Sequence, residues 1–291
     1  MENNKTISVI LPIKTARSAD FEDFFDRCIK SIKNQGETVS ELVIVYCDDS
    51  LLETHVNSYD FDGLNVKFEV WKDEPNFANQ VNRGVEISTS NWVSLIEFDD
   101  EYSNIWFKNS QKYMDIYKDI EAFLPIVVDV NDKGVFVGFT NEATFAANFT
   151  QELGYLTNET LQMYQNFQIA GMVIKKETFL EFGKFKSNIK LTFGYEFFLR
   201  MTHASVKFLT IPKIGYKHMN LREGSIFWNY KNGEDRLSED EAKFWIETAK
   251  KEYFYTAQRD IKYEPQEIWC PKMVIYQTKK LKRKRREENQ Q

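Results

Sequence analysis

Cysteine is scarce: three residues, at positions 28, 47 and 270, with no CxxC pair among them. That excludes a disulfide framework and a cysteine-based zinc site, and it points to a reducing compartment. Long apolar runs are also missing. No stretch approaches the ~18 consecutive apolar residues of a membrane span. The opening MENNKTISVILPIK lacks the basic region and long apolar core of a secretory signal. A soluble, cytoplasmic protein is the expectation, and under it the sequons at 148–150 and 158–160 carry no glycan. There is no internal repeat and no low-complexity linker.

Apolar and aromatic residues are plentiful. The chain is 42% hydrophobic and 15% aromatic, led by Phe and Tyr. A sizeable core is therefore available and disorder is excluded. Charge is uneven. The net charge is −6, yet residues 279–286 (KKLKRKRR) hold seven basic side chains, so the remaining body is strongly acidic. Such a tail is either a solvated end or an electrostatic attachment to nucleic acid or anionic membrane.

The first 130 residues alternate between two periodicities. The runs 7–13 (ISVILPI) and 41–47 (ELVIVYC) are almost wholly apolar, as strands buried on both faces are. Residues 66–71 and 91–98 read as two further strands. Between them, 20–34 and 76–88 have helical spacing. This pattern predicts an α/β fold with a mostly parallel sheet flanked by helices. In such sheets ligands bind beyond the carboxyl ends of the strands. Three polar clusters fall there: Lys14–Thr15, Asp48–Asp49–Ser50, and the acidic stretch 97–101 (EFDDE). Further on, 123–139 reads as a hairpin, 175–182 and 195–202 as short helices, and 206–219 as two strand pieces, VKFLTIP and IGYKHM. A long helix starts at Ser238, with Glu241 completing a capping box.

The acidic stretch has the chemistry of a hard-cation site, because carboxylate oxygens replace water around Mg²⁺ or Mn²⁺. In extended backbone Glu97 and Asp99 share a face, with Asp100 turned the other way and Glu101 left to solvent.

Several segments, in order, resemble family 2 glycosyltransferases with the GT-A fold. SVILPIK resembles their opening strand and ELVIVYCDDS the strand ending in paired acids. NQVNRGVEISTSNWVSLIEFDDE resembles the run from the Asn-containing helix to the Asp-x-Asp motif. AGMVIKKETFLEFGKF, FGYEFFLRM and GYKHMNLREGS resemble the acceptor-side segments. The resemblance covers roughly residues 5–226. It implies a GT-A, Rossmann-like domain over 1–236, its nucleotide-sugar half about 1–104 and its smaller acceptor half about 105–236. A C-terminal helix and basic tail follow at 237–291.

It also implies roles. Pro12, Lys14 and Thr15 would border the nucleotide, and Asp48 or Asp49 would bind the base, uracil. Asn82 and Arg83 would face ribose and diphosphate. Glu97 and Asp99 would take the two acidic places of Asp-x-Asp, with Asp99 and His218 as metal ligands. Glu196 would be the catalytic base. Three departures stand out: Glu97 for an Asp, Gln80-Val81-Asn82 for Ala-Arg-Asn, and Phe197 for a second acid beside Glu196.

The implied activity is metal-dependent, inverting sugar transfer from a UDP-sugar, with Mn²⁺ or Mg²⁺, to a glycan-type hydroxyl. Two alternatives stand beside it: transfer to a hydroxymethylated base in DNA, with the basic tail at 279–286 as the contact, and a non-catalytic nucleotide-sugar-binding protein. A nucleotidyltransferase on the same architecture is the remote third reading.

Overall fold

The computed structural model describes residues 5–16, 20–146, 154–220, 222–233 and 235–265. The sequon at 148–150, the end of the C-terminal extension and the basic tail at 279–286 lie outside the described residues.

The first four strands are β1 (Ile7–Ile13), β2 (Val39–Cys47), β3 (Val66–Trp71) and β4 (Trp92–Leu95). They run parallel in the order β3-β2-β1-β4. Three helices make the crossovers: α1 (Phe21–Lys33), α2 (Ser50–Ser58) and α3 (Phe77–Ile87). The unbroken apolar runs have a direct cause. In β1, Ile7, Val9, Leu11 and Ile13 enter one hydrophobic core and Ile10 the other; in β2, Leu42, Ile44 and Tyr46 face the first, Val43 and Val45 the second. Each strand is thus buried on both faces. Gly84 of α3 is required by a close approach, since a Cβ there would lie 2.5 Å from Ile10 Cγ2.

The chain continues through β5 (Glu101–Tyr102), α4 (Trp106–Ile116), β6 (Ala122–Val130), β7 (Phe136–Thr140), α5 (Ala143–Ala146), β8 (Tyr155–Leu156) and α6 (Asn158–Met163). Then come β9 (Val173–Lys175), α7 (Lys176–Glu181), α8 (Phe193–His203), β10 (Phe208–Met219), α9 (Ile226–Asn232) and α10 (Glu239–Glu252). Strand β9 pairs antiparallel with both β4 and β6, and so joins the first four strands to β6 and its parallel neighbour β10. The result is the expected architecture, a mixed α/β sheet whose long ladders are parallel, flanked by helices.

Two differences from the expectation bear on the site. The fourth strand stops at Leu95 rather than running to residue 98. The stretch read as two strand pieces at 206–219 is one strand, β10, with register shifts between Ile211 and Tyr216, next to Pro212. The capping box of α10 is present as read, with the Ser238 side chain and Glu241 bonding each other's backbone. α10 lies on the α8 side of the sheet, where the Thr192 hydroxyl donates to the Trp245 carbonyl (2.7 Å). No helix among the described residues is long and apolar enough to cross a membrane.

Candidate active site

Because β1 and β4 are parallel neighbours, their carboxyl ends deliver Pro12–Thr15 and the acidic stretch to the same edge. The acidic stretch is a turn. The Asp100 amide donates to the Glu97 carbonyl at 3.1 Å. This corrects the extended-backbone expectation, in which Asp100 faced away. The turn swings the Asp100 carboxylate inward, where it is 1% exposed. It accepts from the Tyr216 hydroxyl (2.8 Å) and the Met219 amide (2.7 Å), and His218 Nδ1 lies 3.1 Å away. Alternation along β10 places Tyr216 and His218 on one face. That spacing was visible in the sequence and is the signal that could have found Asp100's partners.

Asp99 is buried and receives Arg222 Nε at 2.6 Å, while the guanidinium lies over the Phe98 ring, 4.9 Å from its centroid. Glu101 is not left to solvent alone, since Lys217 Nζ reaches it at 2.8 Å. Glu97 differs from all three: among the described residues no side chain donates to its carboxylate. Burial, together with the negative charges of Asp100 and Asp99, pushes Glu97 up to about 8. Burial and Asp100 likewise raise Asp99 against the pull of Arg222. Burial alone would lower His218, but Asp100 overrides it and holds the imidazole up at about 10.

Glu97, Asp100 and His218 offer ligand atoms that all lie within 4.8 Å of one another. Two carboxylates and an imidazole suit Mn²⁺ or Mg²⁺ with remaining positions for substrate oxygens. The expected pair was Asp99 with His218. The geometry instead puts Asp99 on Arg222 and Asp100 beside the imidazole.

Two cavities meet at this turn. The larger, about 1260 Å³, is bordered by Pro12, Lys14, Thr15, Glu97 and Asp99, with Lys190, Arg222 and Lys262 as further cations. The smaller, about 330 Å³, is lined by Phe167, Ile169, Phe193, Tyr195 and Phe227, and by His218. Glu97 and Asp99 line both.

The other expected residues lie elsewhere. Asp48 is exposed, and Asp49 caps α2 by accepting from the Leu51 and Leu52 amides. Asn82 clamps the main chain of Phe185 through its Nδ2 (2.8 Å) and Oδ1 (2.9 Å). Arg83 pairs with Glu69 at 2.7 Å. Gln80 does border the larger cavity, but it spends its amide on the Ile13 and Val45 carbonyls at the strand ends. Glu196 lines neither cavity. It is 0% exposed, chelated by Arg200 (2.9 and 3.0 Å) and by Lys186 (2.9 Å).

Comparison with known proteins bears on the family and the fold. The family model for glycosyl transferase family 2 matches residues 8–170, more than half of the chain. A curated relative, the SPbeta prophage-derived glycosyltransferase SunS of Bacillus subtilis (strain 168), is 27% identical over 97 residues, 33% of this chain and 21% of that protein. Among solved structures, S. aureus TarS in complex with UDP-GlcNAc superposes with a TM-score of 0.61 at 16% identity, over 84% of this chain and 65% of TarS. TarS in complex with UDP gives 0.54 at 15% identity, over 74% of this chain and 60% of TarS. The likeness to TarS is one of fold, and this chain spans less than two thirds of each of these relatives. With the match over residues 8–170 and the acidic turn at the end of β4, the chain belongs to glycosyl transferase family 2.

Proposed function

We propose that this chain transfers a sugar from a nucleoside diphosphate donor, with uridine as the base, to an acceptor hydroxyl, inverting the anomeric centre. The observation that carries the reading is the shared floor: Glu97 and Asp99 stand where a cation-bordered cavity meets a second cavity. The UDP and UDP-GlcNAc complexes of TarS support the donor.

The larger cavity receives the nucleotide. Pro12, Lys14 and Thr15 border it, and Lys14, Lys190 and Arg222 supply positive charge toward the diphosphate. The acceptor enters from the smaller cavity, on the opposite side of the anomeric carbon. Its oxygen bonds to that carbon as the bond to the diphosphate oxygen breaks, and one displacement inverts the centre. A divalent cation held by Glu97, Asp100 and His218 would act as a Lewis acid for the leaving diphosphate. Asp100 orients the imidazole, and Tyr216 and Met219 hold Asp100 in place. The acceptor proton passes to Asp99, the carboxylate at the junction that is not given to the cation and that faces the second cavity. Glu196, neutralised by two buried cations, is assigned a structural role.

Release of UDP from a panel of UDP-sugars, with and without Mn²⁺, tests the reading. Turnover should need Mn²⁺ or Mg²⁺ and vanish in Asp99→Ala. If no sugar is turned over and Asp99→Ala leaves UDP affinity unchanged, the reading fails and binding alone remains. Release of pyrophosphate instead of UDP would make the chain a nucleotidyltransferase.

A further inference from the structure

The two cavities differ in chemistry, and the difference bears on the acceptor. Among the described residues the larger has four cations on its wall, and the smaller has no Lys or Arg. Its wall is built from five aromatic side chains, Phe77, Phe167, Phe193, Tyr195 and Phe227, with Ile169, Ile226 and Ile246 between them. The rings are held by packing: Phe77 and Phe193 lie 5.6 Å apart, and Phe193 meets Phe185 edge-on at 5.5 Å.

The polar side chains of the wall are largely spent elsewhere. Thr192 donates to the Trp245 carbonyl (2.7 Å). The Gln168 amide donates to Asp129 (3.3 Å) and to the Thr140 hydroxyl. The Tyr195 hydroxyl donates to the Leu161 carbonyl (3.2 Å). Ser225 accepts from the Trp228 amide, which leaves Gln165 as the remaining amide of the wall, with the charged groups Glu97, Asp99 and His218 at the floor.

We infer that the acceptor presents to this cavity a single uncharged aromatic group carrying the accepting hydroxyl, as an aryl-methanol does. The inference rests on the proposed sugar transfer. The cavity's volume, about 330 Å³, is at the small end of ligand sites, roughly 300 Å³ upward, and admits one substituted ring, since a cavity of about 150 Å³ already holds benzene. For an anionic acceptor the wall offers no Lys or Arg among the described residues; at the floor His218 is already engaged by Asp100, and Glu97 and Asp99 add two further carboxylates. A sugar ring carries hydroxyls around its whole edge, and against this wall most would be desolvated without partners. An aromatic ring has no such cost. It stacks on the Phe and Tyr rings, and its one hydroxyl meets the polar floor.

Two measurements test this separately from the transfer reaction. Ligand-observed NMR with benzyl alcohol, methyl β-glucoside and glycerol 1-phosphate reads occupancy without turnover. Benzyl alcohol should bind, and the other two should not. Ala170→Leu and Ile246→Phe, which narrow the cavity from two different elements, should each weaken benzyl alcohol about tenfold or more. With UDP-sugar and Mn²⁺, benzyl alcohol should be glycosylated at least about tenfold more efficiently than methyl β-glucoside. Both variants should lower that ratio more than they lower UDP release to water.

Preferred binding and transfer to methyl β-glucoside, or to glycerol 1-phosphate, would overturn the inference. So would binding of benzyl alcohol that neither variant weakens. Benzyl alcohol binding that both variants abolish, without UDP release from any donor, would leave the aromatic site standing and refute the proposed transfer.

Discussion

Replacing Glu196 by Gln separates a structural carboxylate from a catalytic one. In the fold, Glu196 is buried beside α7 and α10 with two cations on it, Arg200 through both carboxylate oxygens and Lys186 at 2.9 Å. Lys186 is itself 1% exposed and also donates to the Glu252 (2.7 Å) and Tyr255 (2.5 Å) carbonyls. Burial pulls the Lys186 ammonium below its usual range, with Glu196 acting against that pull. Gln keeps the shape and one acceptor but removes the charge. Breaking a buried ion pair by deleting one partner costs about 3–5 kcal/mol. The carbonyls that remain on both cations favour the low end, about 3 kcal/mol. At roughly 2 °C per kcal/mol for a chain of this size, Tm falls by about 6 °C. A domain of ordinary stability, about 5–15 kcal/mol, stays folded at 25 °C. The assay is thermal unfolding in parallel with the kcat for UDP release per folded molecule. The expected result is a lowered Tm with kcat within about threefold of the parent. A general base contributes about 10²–10⁴-fold. A loss of 100-fold or more in kcat at unchanged Tm would therefore refute the structural role and restore Glu196 as the base.

Asp100→Asn keeps an acceptor for only one of its two donors, the Met219 amide or the Tyr216 hydroxyl, and removes the charge beside His218, so Mn²⁺ affinity measured by titration should fall about tenfold or more. Gly84→Ala places a Cβ 2.5 Å from Ile10 Cγ2, and such overpacking costs about 1–3 kcal/mol, read as a lowered Tm with little change in UDP binding. Burial would raise Glu41, but hydrogen bonds from Ser8 and Thr89 outweigh it and hold the carboxyl below its usual value. Its contribution is therefore complete above the unfolded value of about 4.3 and is lost as pH falls through the lower folded value. The Tm gap between the parent and Glu41→Gln should be widest at neutral pH and close in acid; a gap constant from pH 7 to 3 would assign the effect to something other than the carboxylate.

The parts of the fold legible in the sequence were those with strong local causes. The apolar runs of β1 and β2 announced strands with a core on each face, and Ser238 with Glu241 announced the start of α10. α2 and α4 were not read. α2 is short, and its cap, Asp49, was assigned to the nucleotide base. In α4 the buried face is Trp106, Phe107 and Met114 interrupted by the polar Ser110, too narrow an apolar stripe to stand out. Glu97, Asp99 and His218 were legible through the family's ordered segments, and all three stand around one cavity. Asn82 was not legible, because its partner Phe185 is 103 residues away. Nor was the burial of Glu196, which depends on Lys186 folding under α10. In each case the deciding contact is long-range, and neither a strand nor a helix periodicity carries it.

The crowding of acids at 97–101 is resolved residue by residue. Asp99 is matched by Arg222, Asp100 by His218 with two further donors, and Glu101 by Lys217. One carboxylate, Glu97, is left with two negative neighbours and no donor of its own among the described residues. The repulsion that looked excessive in the sequence is thus concentrated by the turn onto a single side chain. That side chain lies where the two cavities join, within ligand distance of Asp100 and His218. Had the strand run on to residue 98, period-two alternation would have sent Asp100 to the opposite face, away from His218. The early end of β4 at Leu95 is therefore what builds the site. From the first position of the turn, Glu97 thereby has a carboxylate oxygen within 4.8 Å of ligand atoms of both Asp100 and the imidazole of β10.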